Sequence, residues 1–175
     1  MRQNQFSLKQ HEFIDISPLP SFIELLKQPS LFVALGLGSG LVPLAPGTFG
    51  TLVAVPFYFM LVQTPLWIYG LIVVLAFILG IYFCRTAADH LGVHDHPAIV
   101  WDEMVGYWLT MIAAPAGWHW SVIGFVLFRF FDIVKPWPIS WIDSRIDGGL
   151  GVMLDDILAA VYAWLCLQLV VLVTV

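Results

Sequence analysis

Two pairs of adjacent carboxylates lie beside strongly apolar stretches of this sequence. Asp102 and Glu103 stand at the start of one such stretch, and Asp155 and Asp156 enter another. Ionised groups beside membrane-depth segments are costly unless they are paired, hydrated or bound to a cation, so they are functional candidates. Neighbouring acids also repel each other unless a positive charge holds them. The two pairs therefore indicate a site in which carboxylates collect around a cation.

A third group combines basic and acidic side chains. Arg129, Asp132 and Lys135 are spaced three residues apart, which places them on adjoining faces of a helix. They can form an internal salt bridge with a lysine that reaches the membrane interface. The alternative is a site in which Asp132 holds a metal ion while Arg129 or Lys135 binds a phosphate group. On the residues alone, both interpretations stay open.

The segment from Asp89 to His96 combines acids with histidines and precedes the first carboxylate pair. It is either a hydrated loop or a further source of metal ligands, with Asp89 and Asp95 as its candidates. The histidines do not form a zinc motif, because no paired-histidine helix and no cysteine partner accompany them. Ligand sets made only of oxygen favour Mg²⁺ or Mn²⁺. Such an ion offsets the charge of a phosphate group and can activate a water molecule for attack.

The composition is that of an integral membrane protein. Hydrophobic residues make up 60% of the chain and charged residues 11%, and the mean hydropathy is +0.90. Residues 28–84, 104–128 and 157–175 contain no Asp, Glu, Lys or Arg. Because a spanning helix needs roughly 20 apolar residues, these stretches have room for about four or five crossings, some of them short or broken. We therefore predict an all-α, polytopic membrane bundle, and the net charge of −5 without a basic patch argues against nucleic-acid binding.

The chain divides into a polar leader, residues 1–28, and a single membrane-embedded domain, residues 29–175. A short interfacial helix is expected at 21–27 of the leader. The Gly- and Pro-rich run at 36–50 predicts a broken or re-entrant helix, which is tolerated only where protein or a water-filled cavity surrounds its backbone. Thr48 is expected to cap the helix that follows. The expected helices cover residues 48–63, 66–84, 102–114, 121–135 and 152–175.

The orientation follows from the basic residues of the leader. Arg2, Lys9 and Lys27 precede the first apolar run, and this bias predicts a cytoplasmic leader. Two helical hairpins then return the chain to the cytoplasmic side, and the last helix leaves it. The acidic connectors are therefore expected at the cytoplasmic face of the membrane.

Four ordered motifs run through the chain from about Gly36 into the last helix. They are Gly38-Ser39-Gly40 with Pro46-Gly47-Thr48; Asp89 with Gly92-Val93-His94-Asp95 and Val100-Trp101-Asp102-Glu103; Phe128-Arg129 with Asp132-Ile133 and Lys135-Pro136-Trp137-Pro138; and Asp147-Gly148-Gly149 with Gly151 and Asp155-Asp156. In this order they resemble the phosphatidylglycerophosphatase A proteins of bacteria, and no acidic position of the pattern is missing.

The resemblance implies a Mg²⁺-dependent phosphatase of the bacterial inner membrane. No obligate protein partner is evident from the sequence. Its substrate would be the phospholipid phosphatidylglycerophosphate, hydrolysed to phosphatidylglycerol and phosphate in glycerophospholipid biosynthesis. Carried over by motif, the candidate catalytic residues are Asp89, Asp95, Asp102, Glu103, Asp132 and Asp156. The candidate metal ligands are Asp102, Glu103, Asp132, Asp155 and Asp156, and the candidate substrate contacts are Arg129, Lys135 and Thr48. The sequence does not distinguish which of these acids bind the metal ion and which one activates the water molecule.

Two other classes of function fit parts of the pattern. A divalent-cation transporter or channel would also combine intramembrane acids with a broken Gly/Pro helix. Its acids should spread along the membrane depth, whereas here they collect at helix ends and connectors, with Arg129 and Lys135 among them. A non-catalytic membrane subunit would leave the acidic pairs unexplained. The sequence therefore favours an enzyme that acts on an anionic lipid.

Overall fold

The fold is seen in a computed structural model that describes residues 19–174, and all regular secondary structure in this range is helical. This confirms the all-α prediction for the described residues. Most of the leader, residues 1–18, and residue 175 lie outside them. The elements are α1 Phe22–Leu25, α2 Pro29–Ala34, a 3₁₀ segment Gly36–Leu41, α3 Pro46–Leu61, α4 Leu66–Leu91, α5 Trp101–Thr110, α6 Trp118–Val134, α7 Ile139–Asp143 and α8 Gly148–Thr174.

Helix α8 is the centre of the bundle. Helices α4, α5, α6 and α7 pack against it, while α3 packs mainly on α5. The buried face of α8 carries small side chains, among them Ala159, Ala160 and Ala163, which are 0% exposed. Small residues let helix backbones approach closely, which is the usual basis of helix association in membranes. The face of α8 that follows the acidic pair is therefore shaped for tight packing.

Aromatic side chains fix the short helix α5 among its neighbours. Trp108 donates its indole N–H to the carbonyl oxygen of Ala54 on α3 at 3.0 Å. The hydroxyl of Tyr69 on α4 donates to the carbonyl oxygen of Trp108 at 2.7 Å. Buried Tyr and Trp side chains are stabilised when their polar atoms find such partners. These contacts fix the second half of α5. At its start, the indole N–H of Trp101, next to the acidic pair, donates to the carbonyl oxygen of Ala76 on α4 at 3.0 Å.

Two helices of the described range are long and apolar enough to cross a membrane, by length and composition: α4, with 26 residues, and α8, with 27. Helix α3 is a shorter apolar helix of 16 residues. This is fewer than the four or five crossings expected from the apolar stretches. A main reason is that the stretch 104–128 is divided, and α5, at 1.5 Å per residue, is only about 15 Å long against a hydrocarbon core of about 30 Å.

The Gly/Pro-rich run at 36–50 contains the 3₁₀ segment and the start of α3, and the short helix α2 lies directly before it. Leu37 and Gly38 inside the 3₁₀ segment have positive φ values of 58° and 96°, which interrupt the helix. Helix α3 then begins at Pro46, with Ala45 in the capping position. The prediction that Thr48 caps this helix is wrong, because Pro46 occupies the first turn, where its missing N–H costs nothing.

Other helix boundaries also differ from the sequence prediction. Helix α4 continues past Cys84 to Leu91 and ends at Gly92, whose φ of 71° stops it. Charged side chains at 85 and 89 suggested a connector, but the backbone there stays helical. Helix α8 begins at Gly148 instead of residue 152, and the short helix α7 was not predicted. Both misses lie in the Gly/Pro-rich segment after α6, where local composition favours a loop.

Candidate functional site

The starts of α3 and α5, the end of α6 and the third turn of α8 surround one cavity of about 370 Å³. It lies at one end of the bundle, since α3 and α5 begin there and α6 ends there. Pro97 and Ile99 from the connector before α5 complete its wall. Its charged lining residues are Asp95, Asp102, Glu103, Arg129, Asp132, Lys135, Asp155 and Asp156.

Three carboxylates in this cavity converge on one point. Asp102, Glu103 and Asp156 each offer an oxygen atom, and these atoms lie within 4.8 Å of one another. Asp102 is 8% exposed and Asp156 is 3% exposed. Oxygen atoms of all three, Oδ1 of Asp102, Oε2 of Glu103 and Oδ2 of Asp156, are buried without a hydrogen-bond partner among residues 19–174. Because buried charges are costly unless they are paired, this arrangement fits a bound cation.

The basic residue nearest these acids is Arg129 on α6. Its Nη1 lies 2.5 Å from Oδ2 of Asp132, three residues along the same helix, and 3.6 Å from Oε1 of Glu103. These contacts are ion pairs without hydrogen-bond geometry, and both Nε and Nη1 of Arg129 are buried without an acceptor in the described chain. A guanidinium with unused donors at a cavity wall suits a bidentate contact to a phosphate group.

Lys135 follows the last residue of α6 and pairs with two acids. Its Nζ donates to Oδ2 of Asp155 at 2.5 Å and to Oδ1 of Asp143 at 3.0 Å. Burial lowers the pKa of the Lys135 ammonium, but the hydrogen bonds and negative charges of Asp155 and Asp143 outweigh burial and raise it above its ordinary value. Lys135 is therefore a fixed positive charge at the cavity wall, and Asp155 already has a cationic partner.

Gly47, in the first turn of α3, packs directly against the Glu103–Arg129 pair. A Cβ atom at this position would lie 2.1 Å from Oε1 of Glu103 and 3.0 Å from Nη1 of Arg129. A larger residue here would require the ends of both side chains to shift from these positions. Gly47 belongs to one of the sequence motifs, but the substrate contact was predicted at its neighbour Thr48. Asp143, the partner of Lys135, was also missed, because no spacing rule connects residues on separate helices.

Two predicted site residues lie away from this cavity. Thr48 does not line it, and Asp89 lines a second cavity of about 670 Å³ together with Arg85, His94 and Asp147. Asp95 is exposed and reaches the first cavity from the connector. The other predicted acids and both basic residues are brought together.

The histidines of the connector do not form a metal site in the described part of the chain. His94 accepts a hydrogen bond from the backbone N–H of Gly148, and His96 accepts one from the N–H of Ala98. Among residues 19–174, the one group of three side chains that could hold a metal ion consists of carboxylates. The candidate metal ligands that this group offers are therefore carboxylate oxygen atoms.

Fold and site together define a class: a helical bundle with two membrane-length helices and a buried carboxylate cavity that also presents an arginine and a lysine. The family model of phosphatidylglycerophosphatase A matches residues 32–171, and the chain belongs to this family. Membership identifies the chain as a phosphatase. No solved structure matches the chain.

Curated relatives support this assignment. Phosphatidylglycerophosphatase A of Escherichia coli K12 is 47% identical over 137 residues, which cover 78% of this chain and 80% of the relative. The protein of the same name from Haemophilus influenzae is 44% identical over 140 residues, 79% of this chain and 86% of its own. A protein of Bacteroides thetaiotaomicron, provisionally named a phosphatidylinositol-3-phosphatase, is 41% identical over 154 residues, 83% of this chain and 92% of its own.

Proposed function

We propose that this protein hydrolyses the phosphomonoester of phosphatidylglycerophosphate to phosphatidylglycerol and phosphate, as a Mg²⁺-dependent step of glycerophospholipid biosynthesis. The observation that carries the proposal is the convergence of Asp102, Glu103 and Asp156 within 4.8 Å, in one cavity with Arg129 and Lys135. Two relatives above 40% identity carry the name of this activity. Residues 29–175 act as one catalytic domain in this proposal.

The three converging carboxylates would hold Mg²⁺. They fit this ion because all three supply oxygen atoms, and because each keeps a buried oxygen without a partner in the described chain. Asp132 and Asp155 line the same cavity, but each lies 2.5 Å from a basic nitrogen, closer than the 3.6 Å between Glu103 and Arg129. Oδ1 of Asp155 is also buried without a partner in the described chain, while its Oδ2 accepts from Lys135. When bound, Mg²⁺ would supply charge compensation for the phosphate and activation of a water molecule. Asp132 and Asp155 would then stand beside the metal and set the positions of Arg129 and Lys135.

The basic side chains would bind the phosphate group. Arg129 can donate from its unpaired N–H groups to phosphate oxygens, and Lys135, which lines the same cavity, contributes a point charge. Most of the catalytic effect would come from positioning and from stabilising the charge that develops on the phosphoryl oxygens. A carboxylate of the cavity accepts the proton of the attacking water as the bond between phosphorus and the glycerol oxygen breaks. That proton then passes to the departing glycerol oxygen.

The cavity position suits a lipid substrate. It lies at one end of the bundle and is lined in part by the membrane-length helix α8. The acyl chains can stay in the bilayer while the headgroup phosphate enters the cavity at its surface. With the basic leader inside, we place this end at the cytoplasmic face of the bacterial inner membrane, with α3, α4, α6 and α8 as the membrane-embedded helices.

The first test is phosphate release from phosphatidylglycerophosphate by the detergent-purified protein. We expect turnover with Mg²⁺, complete loss in excess EDTA, and recovery when Mg²⁺ is restored. Loss and recovery under these conditions would support both the reaction and the carboxylate metal site. Turnover that persists in EDTA would overturn the metal assignment.

Absence of turnover in folded protein, with or without Mg²⁺, would overturn the proposed reaction. Metal-dependent ion flux in liposomes would then favour the cation-transport alternative. Within residues 19–174, the buried acids gather in one cavity and do not extend along the bundle, so this part of the chain does not favour cation transport.

A further inference from the structure

The ammonium group of Lys135 is the point where three helices meet. Lys135 directly follows α6, Asp143 is the last residue of α7, and Asp155 lies in α8. The contacts from Nζ to the two carboxylates measure 3.0 Å and 2.5 Å. One positive charge therefore connects the end of α6 to both α7 and α8.

The two acids stand on different sides of Lys135. Asp155 lines the carboxylate cavity, as Lys135 does. Asp143 does not line it; it lies beside a small neighbouring cavity formed by the connector and the start of α8. The Asp143 side chain is 39% exposed, against 7% for Asp155. Asp143 therefore contacts Lys135 from outside the carboxylate cavity, away from the space where a substrate would bind.

The count of hydrogen-bond donors leaves one for a ligand. A lysine ammonium has three N–H donors. Two of them have acceptors, on Asp143 and Asp155, and no third acceptor lies among residues 19–174. Because two N–H donors are directed at these acceptors, the direction of the third is set as well. The Lys135 side chain lines the cavity. This is the arrangement expected of a lysine held ready for an anion.

The backbone at Lys135 is also constrained. Lys135 has a φ of 42° and a ψ of 58°, a left-handed conformation that side chains other than glycine adopt at a cost. Its N–H caps α6 through the carbonyl oxygen of Phe131. Helix α7, which presents Asp143, is anchored by the fully buried Ile139 and packs on α8. The fold therefore determines the positions of both Lys135 and Asp143.

We propose that Asp143 is a positioning residue for the phosphatase reaction: together with Asp155 it holds Lys135 so that the third N–H meets an oxygen of the substrate phosphate. The proposal rests on the proposed function for the identity of the substrate. It assigns Asp155 to the lysine instead of the metal ion. It concerns a residue, Asp143, that lies outside the cavity and takes no part in the reaction directly.

The test is a double-mutant cycle with Asp143→Asn, Lys135→Met and both together. The measured quantity is the dissociation constant of a phosphonate analogue of phosphatidylglycerophosphate, with Mg²⁺ present and a fixed ratio of lipid to detergent. We expect Asp143→Asn to weaken binding about three- to tenfold, the size of one lost contact to a charged group. In the Lys135→Met background the same change should have no effect, because its target is absent. Asp143→Glu should restore most of the affinity.

Kinetics separate a positioning role from a structural one. Asp143→Asn should raise KM for the lipid by a similar factor while the Mg²⁺ concentration for half-maximal turnover stays unchanged. Glu24→Gln is the charge-matched control: Glu24 closes the capping box of α1, glutamine can replace it there, and the residue precedes the matched family segment. This control should bind the analogue as the unaltered protein does.

Three results would overturn the proposal. They are unchanged analogue binding in Asp143→Asn, an equal loss in the Lys135→Met background, and a shift in the Mg²⁺ requirement. If Asp143→Asn does not fold, Asp143→Glu is compared with the unaltered protein. A glutamate at this position can still reach Lys135, so the dissociation constant of the analogue should stay within about threefold of the unaltered value. Failure of the proposed function is recognised separately, as absent turnover in the unaltered protein.

Discussion

At the scale of residues, the acids of the cavity differ in the partners they already have. Asp132 contacts Arg129 and Asp155 contacts Lys135, so the fold itself neutralises both. Asp102 and Asp156 have no basic partner within 4 Å in the described chain, and each keeps a buried oxygen without a hydrogen bond. Removing a carboxylate should therefore have its largest effect on catalysis at these two positions.

We predict that Asp102→Asn and Asp156→Asn each lower turnover at least about a hundredfold, the scale of losing a metal-site carboxylate. Asparagine keeps the size of the side chain but cannot supply the negative charge. Phosphate release from phosphatidylglycerophosphate measures the effect, and membrane fractionation checks that the variants insert. Glu24→Gln should keep normal turnover. Near-normal turnover in both cavity variants would refute the assignment of the site.

At the scale of elements, the site depends on how closely α8 approaches α4. Gly149, in the first turn of α8, lies against the backbone of α4: a Cβ atom there would be 2.0 Å from the carbonyl oxygen of Ile81. Backbone atoms cannot turn aside as a flexible side chain can. Contact between the two helices therefore requires glycine at this position.

Gly149→Ala should lower the thermal unfolding temperature, because the added methyl group forces α8 away from α4, a distortion of about 1–3 kcal/mol. Gly70→Ala is the matched control on α4, since a Cβ atom at Gly70 has nothing within 4 Å. Alanine also favours a helix interior over glycine, so this control should unfold at the same or a slightly higher temperature. Thermal unfolding in detergent compares the two; equal melting temperatures would contradict the close approach.

At the scale of the whole molecule, the bundle has two different ends. The charged cavity lies where α3 and α5 begin, and the turn between α3 and α4 lies at the far end, about 24 Å away along α3. The proposed orientation places the cavity end in the cytoplasm. Residues at the two ends should therefore be accessible from opposite sides of the membrane.

A single cysteine at Ser144, next to Asp143, should react with a membrane-impermeant maleimide in inverted vesicles but not in spheroplasts. A cysteine at Gln63, in the turn after α3, should show the reverse pattern. Both variants are made with Cys166→Ala, and Cys84 can stay because it is 0% exposed. The opposite labelling pattern would overturn the cytoplasmic placement, and labelling of both positions from one side would overturn the two-ended arrangement.

Much of this protein follows from its sequence alone. The adjacent acids within apolar stretches indicated a cation site, because charge in such a setting needs a partner. The spacing of Arg129, Asp132 and Lys135 predicted that they lie on adjoining faces of one helix. The long apolar runs predicted helices, and α4 and α8 are found where they were expected, with shifted ends. These features are local: each depends on residue type and on spacing within one helix.

Other features depend on the tertiary structure. Helix packing brings Lys135 to Asp143 and Asp155. It also brings Gly47 against the Glu103–Arg129 pair and keeps Asp89 and Thr48 away from the cavity. No periodic pattern records contacts between helices that are distant along the chain. The acids were thus identified by their chemistry, but packing in three dimensions decided which of them converge on one point and which already contact a basic side chain. Charges interact over a few ångströms in space whatever their distance in sequence.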